Sequence, residues 1–174
     1  MSPAASSLSA TPAAARQRLL DTLKGLQAAL QQLFVQHEKL GSGKRALKPL
    51  FLGLELLCKL EEQVLMAALL ESKASNGRIV ERAQHEIEIL RELRDLIGDS
   101  RGRRRAALLG VLAGVSHLHF LQFTEHLADT EPEAMPWDML QRETQDLLDR
   151  WHTEVLQHGE VEDEERDPVG LPPR

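Results

Sequence analysis

Residues 19–40 read LLDTLKGLQAALQQLFVQHEKL, and within them Leu19, Leu23, Leu26, Leu30, Leu33 and His37 follow at steps of 4, 3, 4, 3 and 4. That alternation keeps one side of a 3.6-residue helix apolar from end to end, so the stretch reads as a helix with a single buried seam. The seam ends in a histidine. Upstream, Thr11-Pro12 opens the helix, with the proline where its missing N–H does no harm. Downstream, Gly41-Ser42-Gly43 terminates it.

The same pattern recurs along the chain. A second helix is predicted from about Arg45 to Ser72, with Phe51, Leu54, Cys58, Glu62, Leu65 and Leu69 on one face, and a third from about Arg78 to Ile97 with Ile79, Ala83, Ile87, Leu90, Leu93 and Ile97. Ser75-Asn76-Gly77 is the turn between them, and Gly98 ends the third. The fourth, from about Gly102 to Ala128, carries Leu108, Leu112, Val115, His119, Phe123 and His126. Pro132 and Pro136 break the chain, because a residue before proline is pushed out of helical geometry. A last helix from about Trp137 to Gln157 packs through Trp137, Leu140, Leu147, Trp151 and Val155. Short links between helices of similar length favour antiparallel neighbours. The expected fold is therefore all-α, an up-and-down antiparallel four-helix bundle with an additional C-terminal helix. It occupies residues 13–158, between a disordered start at 1–12 and an acidic disordered tail at 159–174.

Composition agrees. Aromatic residues make up 3% of the 174 and tyrosine is absent, too few for a sandwich or barrel. With 27 acidic residues against 21 Lys and Arg, the formal charge of −6 provides no basic field for nucleic acid or an anionic membrane. The one basic cluster, Arg101, Arg103, Arg104 and Arg105, reads as a cap that solubilises a helix start. Cys58 is the only cysteine, so no intrachain disulfide forms and a reducing compartment fits. No secretory signal or run of 18 apolar residues is evident, and a cytoplasmic location is expected.

Polar groups on a bundle seam demand an explanation, because burying an unpaired carboxylate costs several kcal/mol or forces a pKa shift. Four helices each supply a candidate: His37, then Glu62 with Glu61 beside it, His85, and finally His119 and His126. Each has a plain structural alternative. His37 can cap a helix end, Glu62 can pair with a lysine or arginine at the bundle edge, and His119 and His126 can hydrogen-bond to neighbouring helices. His85 falls roughly 130° from the centre of its helix's apolar face and reads also as exposed. Read together, imidazoles and carboxylates aimed inward from facing helices suit iron or manganese.

The order of these groups resembles the hemerythrin-like, or HHE cation-binding, domain. That family has a histidine late in the first helix, a His-x-x-x-Glu pair in the second, a histidine in the third and a second histidine–carboxylate pair near the end of the fourth, followed by an apolar residue and proline. Here Leu33-Phe34-Val35-Gln36-His37-Glu38, Cys58-Lys59-Leu60-Glu61-Glu62, Gln84-His85-Glu86 and His126-Leu127-Ala128-Asp129-Thr130-Glu131, with Met135-Pro136 following, resemble the four elements. The likeness covers about residues 17–155. Cysteine stands where the second element has histidine, and Thr130 stands four residues after His126, leaving Glu131 at the five-residue spacing.

What the resemblance implies is a mono- or dinuclear non-haem iron site. His37, His85 and His126 would be the imidazole ligands and Glu62 and Glu131 the carboxylates, with Cys58, Glu61 and His119 as substitutes. Such a site binds or senses O₂, a related diatomic molecule or iron itself. The departures leave open an alternative of another class, a metal-free bundle of the same descent acting as a protein-interaction or regulatory module. No nucleophile motif, phosphate loop or Glu-x-x-His pair points to an enzyme, and the sequence does not identify a protein partner.

Overall fold

The computed structural model describes residues 11–40, 44–72 and 77–164, of which 38–40, 44–46 and 154–164 are described by their backbone. The expectations for the N-terminal ten residues, the glycine stop at 41–43, most of the Ser75-Asn76-Gly77 turn and the last ten residues fall outside this set. Within it the chain is a bundle of helices: α1 (Pro12–Leu40), α2 (Lys44–Leu60), a π-helical segment (Glu61–Leu65), α3 (Met66–Glu71), α4 (Gly77–Asp99), α5 (Gly102–Asp129) and α6 (Trp137–Glu164).

Local chemistry fixes the ends. The Ala14 N–H donates to Thr11 Oγ1 at 3.3 Å and the Ala15 N–H to the Thr11 carbonyl at 3.0 Å, so Thr11 caps α1, which begins at Pro12. At the other end α6 runs on to Glu164, past the stop expected near Gln157. Acid-rich Glu160–Glu164 holds good helix formers, and Gly159 alone does not interrupt it.

Two residues join α4 to α5, and the turn is tight enough that Gly102 takes a φ of +55°, where a Cβ would be strained. Arg105 corrects the reading of the basic cluster. It is buried and donates to the Ser100 carbonyl, closing the turn from inside, while Arg101, Arg103 and Arg104 stay exposed.

Side-chain bonds between helices give their directions. Arg16 donates to the carbonyls of Ala128 and Thr130, and Gln27 to the carbonyl of Phe120 at 3.0 Å, which sets α1 antiparallel to α5. Arg82 meets Gln122 and Glu86 meets His119, so α4 also runs against α5. The rod formed by α2, the π-helical segment and α3 pairs Glu55 with Arg94 and Glu62 with Arg91, antiparallel to α4. α6 packs on α1 and α2, with Arg18 beside Asp138 and the Lys59 ammonium 4.8 Å from the Trp151 ring centroid. Leu19, Leu23 and Leu30 from the opening seam are buried with Leu54, Leu65, Ile87, Leu112, Phe120 and Trp137 in one core.

Among the described residues α5 is the one helix long and apolar enough to cross a membrane, yet its inward side chains tie it to α1 and α4. Only 33% of its most apolar window is buried in the bundle.

Candidate functional site

The polar centre of the core is assembled from three elements. The π-helical segment begins at Glu61, which lies three residues after Cys58 and shares the core face with it, both almost fully inaccessible. Widened turns of this kind recur at functional positions. α5 contributes His119 and α4 contributes Glu86. His119 Nε2 lies 2.9 Å from Glu61 Oε2 and its Nδ1 lies 2.8 Å from Glu86 Oε2, so one imidazole bridges two carboxylates and both ring nitrogens are engaged. From Glu86 the network continues outward: Arg82 Nε donates to Glu86 Oε1 at 2.7 Å and an Arg82 terminal nitrogen to Gln122 Oε1 at 2.7 Å. Phe120 and Phe123 flank the imidazole, with ring centroids 5.0 and 6.5 Å away. Above the bridge is an open cleft of about 450 Å³ between α4 and α5, lined by Arg82, Glu86, His119, Gln122, His126 and Asp129.

Burial and charge act against each other here. Burial pushes the Glu61 carboxyl above the ordinary range, and the His119 bond only partly offsets it. For His119 burial alone would lower the pKa, but the bonds and charges of Glu61 and then Glu86 outweigh it and hold the imidazole above its ordinary value. At Glu86, a quarter exposed, burial is outweighed by His119 and Arg82, and its carboxyl sits below the ordinary range. The Cys58 thiol is pushed far up, by burial first and then by Glu61, so it stays a neutral thiol.

A pH dependence follows. The stability that charged His119 adds is complete below about 6.5, the ordinary imidazole value, and is lost as pH rises through the raised folded pKa. Glu61, also raised, loses in the same direction. Glu86 is depressed, so its share is present above about 4.5 and is lost as pH falls through its folded pKa. The melting temperature should fall between pH 6 and pH 9, and the fall should be much smaller in a Glu61→Gln/His119→Gln double variant, read by circular dichroism. Both substitutions are needed, since removing His119 alone would push the Glu61 carboxyl higher still.

The five residues named first by the resemblance are not brought together. His37 is buried at the far end of α1, and its Nε2 has no hydrogen-bond partner among the described residues. It lies ten residues beyond Gln27, which bonds at the level of Phe120, whereas His126 lies six residues to the other side of Phe120; with about 1.5 Å per residue the two imidazoles are about 24 Å apart along the bundle. Glu62 faces the α4 flank, where Arg91 grips its two oxygens at 2.7 and 2.8 Å and also reaches Glu55. His85 is 73% exposed and lies 3.5 Å from Glu88. Glu131 is exposed in the link after α5. His126 is half-buried at the cleft, and its Nε2, too, has no hydrogen-bond partner among the described residues. Thr130, in the place of the expected acid, closes α5 by donating to the His126 carbonyl at 3.0 Å.

These residues therefore do not fit one iron site, and among the described residues no group of three or more His, Cys, Asp or Glu is arranged to hold a metal ion. The substitutes Glu61 and His119 are the ones that meet. Counting four residues on from Cys58 selected Glu62, although the step of three to Glu61 stays nearer the middle of the Leu54–Leu57–Cys58 face. Glu86 was not a candidate at all. Its signal was its spacing, three residues after Ala83 and four before Leu90, which puts it at the border of the apolar face. No protein-family model, curated protein or solved structure matches the chain.

Proposed function

We propose that the protein is a hemerythrin-like bundle that works without a metal, as a protein-interaction or regulatory module whose core is pinned by a carboxylate–imidazole–carboxylate bridge. The observation that carries this reading is the engagement of both His119 ring nitrogens, at 2.9 and 2.8 Å, by Glu61 and Glu86. An imidazole held in this way has no free lone pair for a metal, and the remaining donors of the resemblance are spread along the bundle. The bridge does structural work instead, binding the π-helical segment, α4 and α5 into one unit. Cys58 fits the same role: a neutral, buried thiol behaves as a small core hydrophobe.

Anaerobic titration of the purified protein with ferrous iron tests the proposal. Less than about a tenth of an equivalent should bind and the melting temperature should not rise, because an ion with no site in the folded state adds no stability. One or two equivalents bound with a clear rise would return the protein to the iron-binding reading.

A further inference from the structure

The side of α5 turned away from the core carries no charge for four turns. Ala107, Gly110, Val111, Gly114, Leu118 and Leu121 are exposed within an arc of about 100°, opposite the buried Leu112, Phe120 and Phe123. Val111, Leu118 and Leu121 expose 50%, 53% and 39% of their surface. Ile89 and Leu96, on the flank of α4 beside Arg82 and Glu86, are also exposed and widen the apolar area. Exposed aliphatic side chains gathered on one face, unlike ones scattered singly, mark a candidate interaction surface.

The face is symmetric in its own sequence. About Gly114, Gly110 and Leu118 are equidistant, as are Ala107 and Leu121, and Arg103 and Glu125. Gly110 and Ala107 are thus matched to leucines and a cation to an anion, Val111 falls opposite the exposed His117, and both charged residues are exposed on the same arc. We infer that this face is a self-association surface, on which a second copy of the chain docks its own α5 antiparallel about a two-fold axis at Gly114. In an isologous contact each residue meets its mirror position. Leu118 of one copy then fills the space left by Gly110 of the other, and Leu121 fills that over Ala107. A Cβ added at Gly110 or Gly114 would meet nothing within 4 Å in the single chain, so room for close approach is present at the crossing. Arg103 and Glu125 each lie eleven residues from the axis, about 16 Å, and close both ends of the contact with opposite charges. The inference rests on the interaction reading proposed above and names the partner. The two fail separately, since iron uptake decides the first and molecular mass the second.

Sedimentation equilibrium of the full chain at about 100 µM, alone and with vesicles of phosphatidylcholine and phosphatidylglycerol, is the test. The expected result is a species of twice the 19.5 kDa chain mass that ignores the vesicles. Leu118→Glu should give a monomer with an unchanged helical circular dichroism spectrum, because the residue is exposed in the single chain. Arg103→Glu and Glu125→Arg should each weaken the dimer several-fold, and the double exchange should restore it, as only antiparallel pairing predicts. A wild-type monomer, a monomer that binds the vesicles, a dimer indifferent to Leu118→Glu, or a double exchange no better than the single ones would each overturn the inference.

Discussion

Replacing His119 by Ala is expected to cost about 3–5 kcal/mol of unfolding free energy, measured by urea denaturation at pH 7, because it leaves the Glu61 carboxyl in the core without its partner, to be held there unpaired or to take up a proton. Glu61 is 3% exposed, and His119 is the hydrogen-bond partner of its carboxyl. The cost comes from an uncompensated buried group rather than from the worth of the bridge itself, and a second variant separates the two. Replacing both residues by leucine removes the buried carboxyl together with its partner. Exchanging a buried ion pair for apolar residues of similar volume is often neutral or favourable by about 1–4 kcal/mol. The Glu61→Leu/His119→Leu protein should therefore be at least as stable as the parent, leaving Glu86 with Arg82 at the surface. If the double variant were as damaged as the single one, the coupling described here would not exist.

Trp137→Ala should cost a similar amount, about 3–5 kcal/mol, for a different reason. Trp137 begins α6, is 1% exposed and is the largest fully buried side chain, so its loss leaves a cavity in the core. Its Nε1–H has no hydrogen-bond partner among the described residues. Trp137→Phe removes that unpaired donor while keeping most of the ring volume, and should cost less than about 1.5 kcal/mol. A loss below 1 kcal/mol for Trp137→Ala, read from the same denaturation curves, would show that α6 is not anchored there.

The steps of three and four from Leu19 to His37 and the prolines at 12, 132 and 136 marked helices in advance, since both are local signals, whereas α4 runs through Gly98, where a stop was expected, to Asp99. Which polar residue on a helix points inward was harder to read. Glu61 and Glu62 are neighbours about 100° apart, and a seam traced through one residue per turn selected the wrong one. His119 was visible on its seam, but its partner Glu86 sits at the edge of an apolar face, where sequence alone does not separate a core acid from a surface one. Arg105 escaped for the converse reason. An arginine among arginines reads as solvated, whereas the two-residue link after α4 folds it inward onto the Ser100 carbonyl.

The protonation state of the His119 ring tests the central claim most directly. With ¹⁵N-labelled histidine, long-range proton–nitrogen correlation at pH 6.5 should show both His119 ring nitrogens protonated, an imidazolium held between Glu61 and Glu86. The pattern should be unchanged after one equivalent of Zn²⁺, a diamagnetic stand-in for ferrous iron. A ring nitrogen that lacks its proton and moves to a metal-bound shift when zinc is added would contradict the closed bridge and the metal-free function built on it.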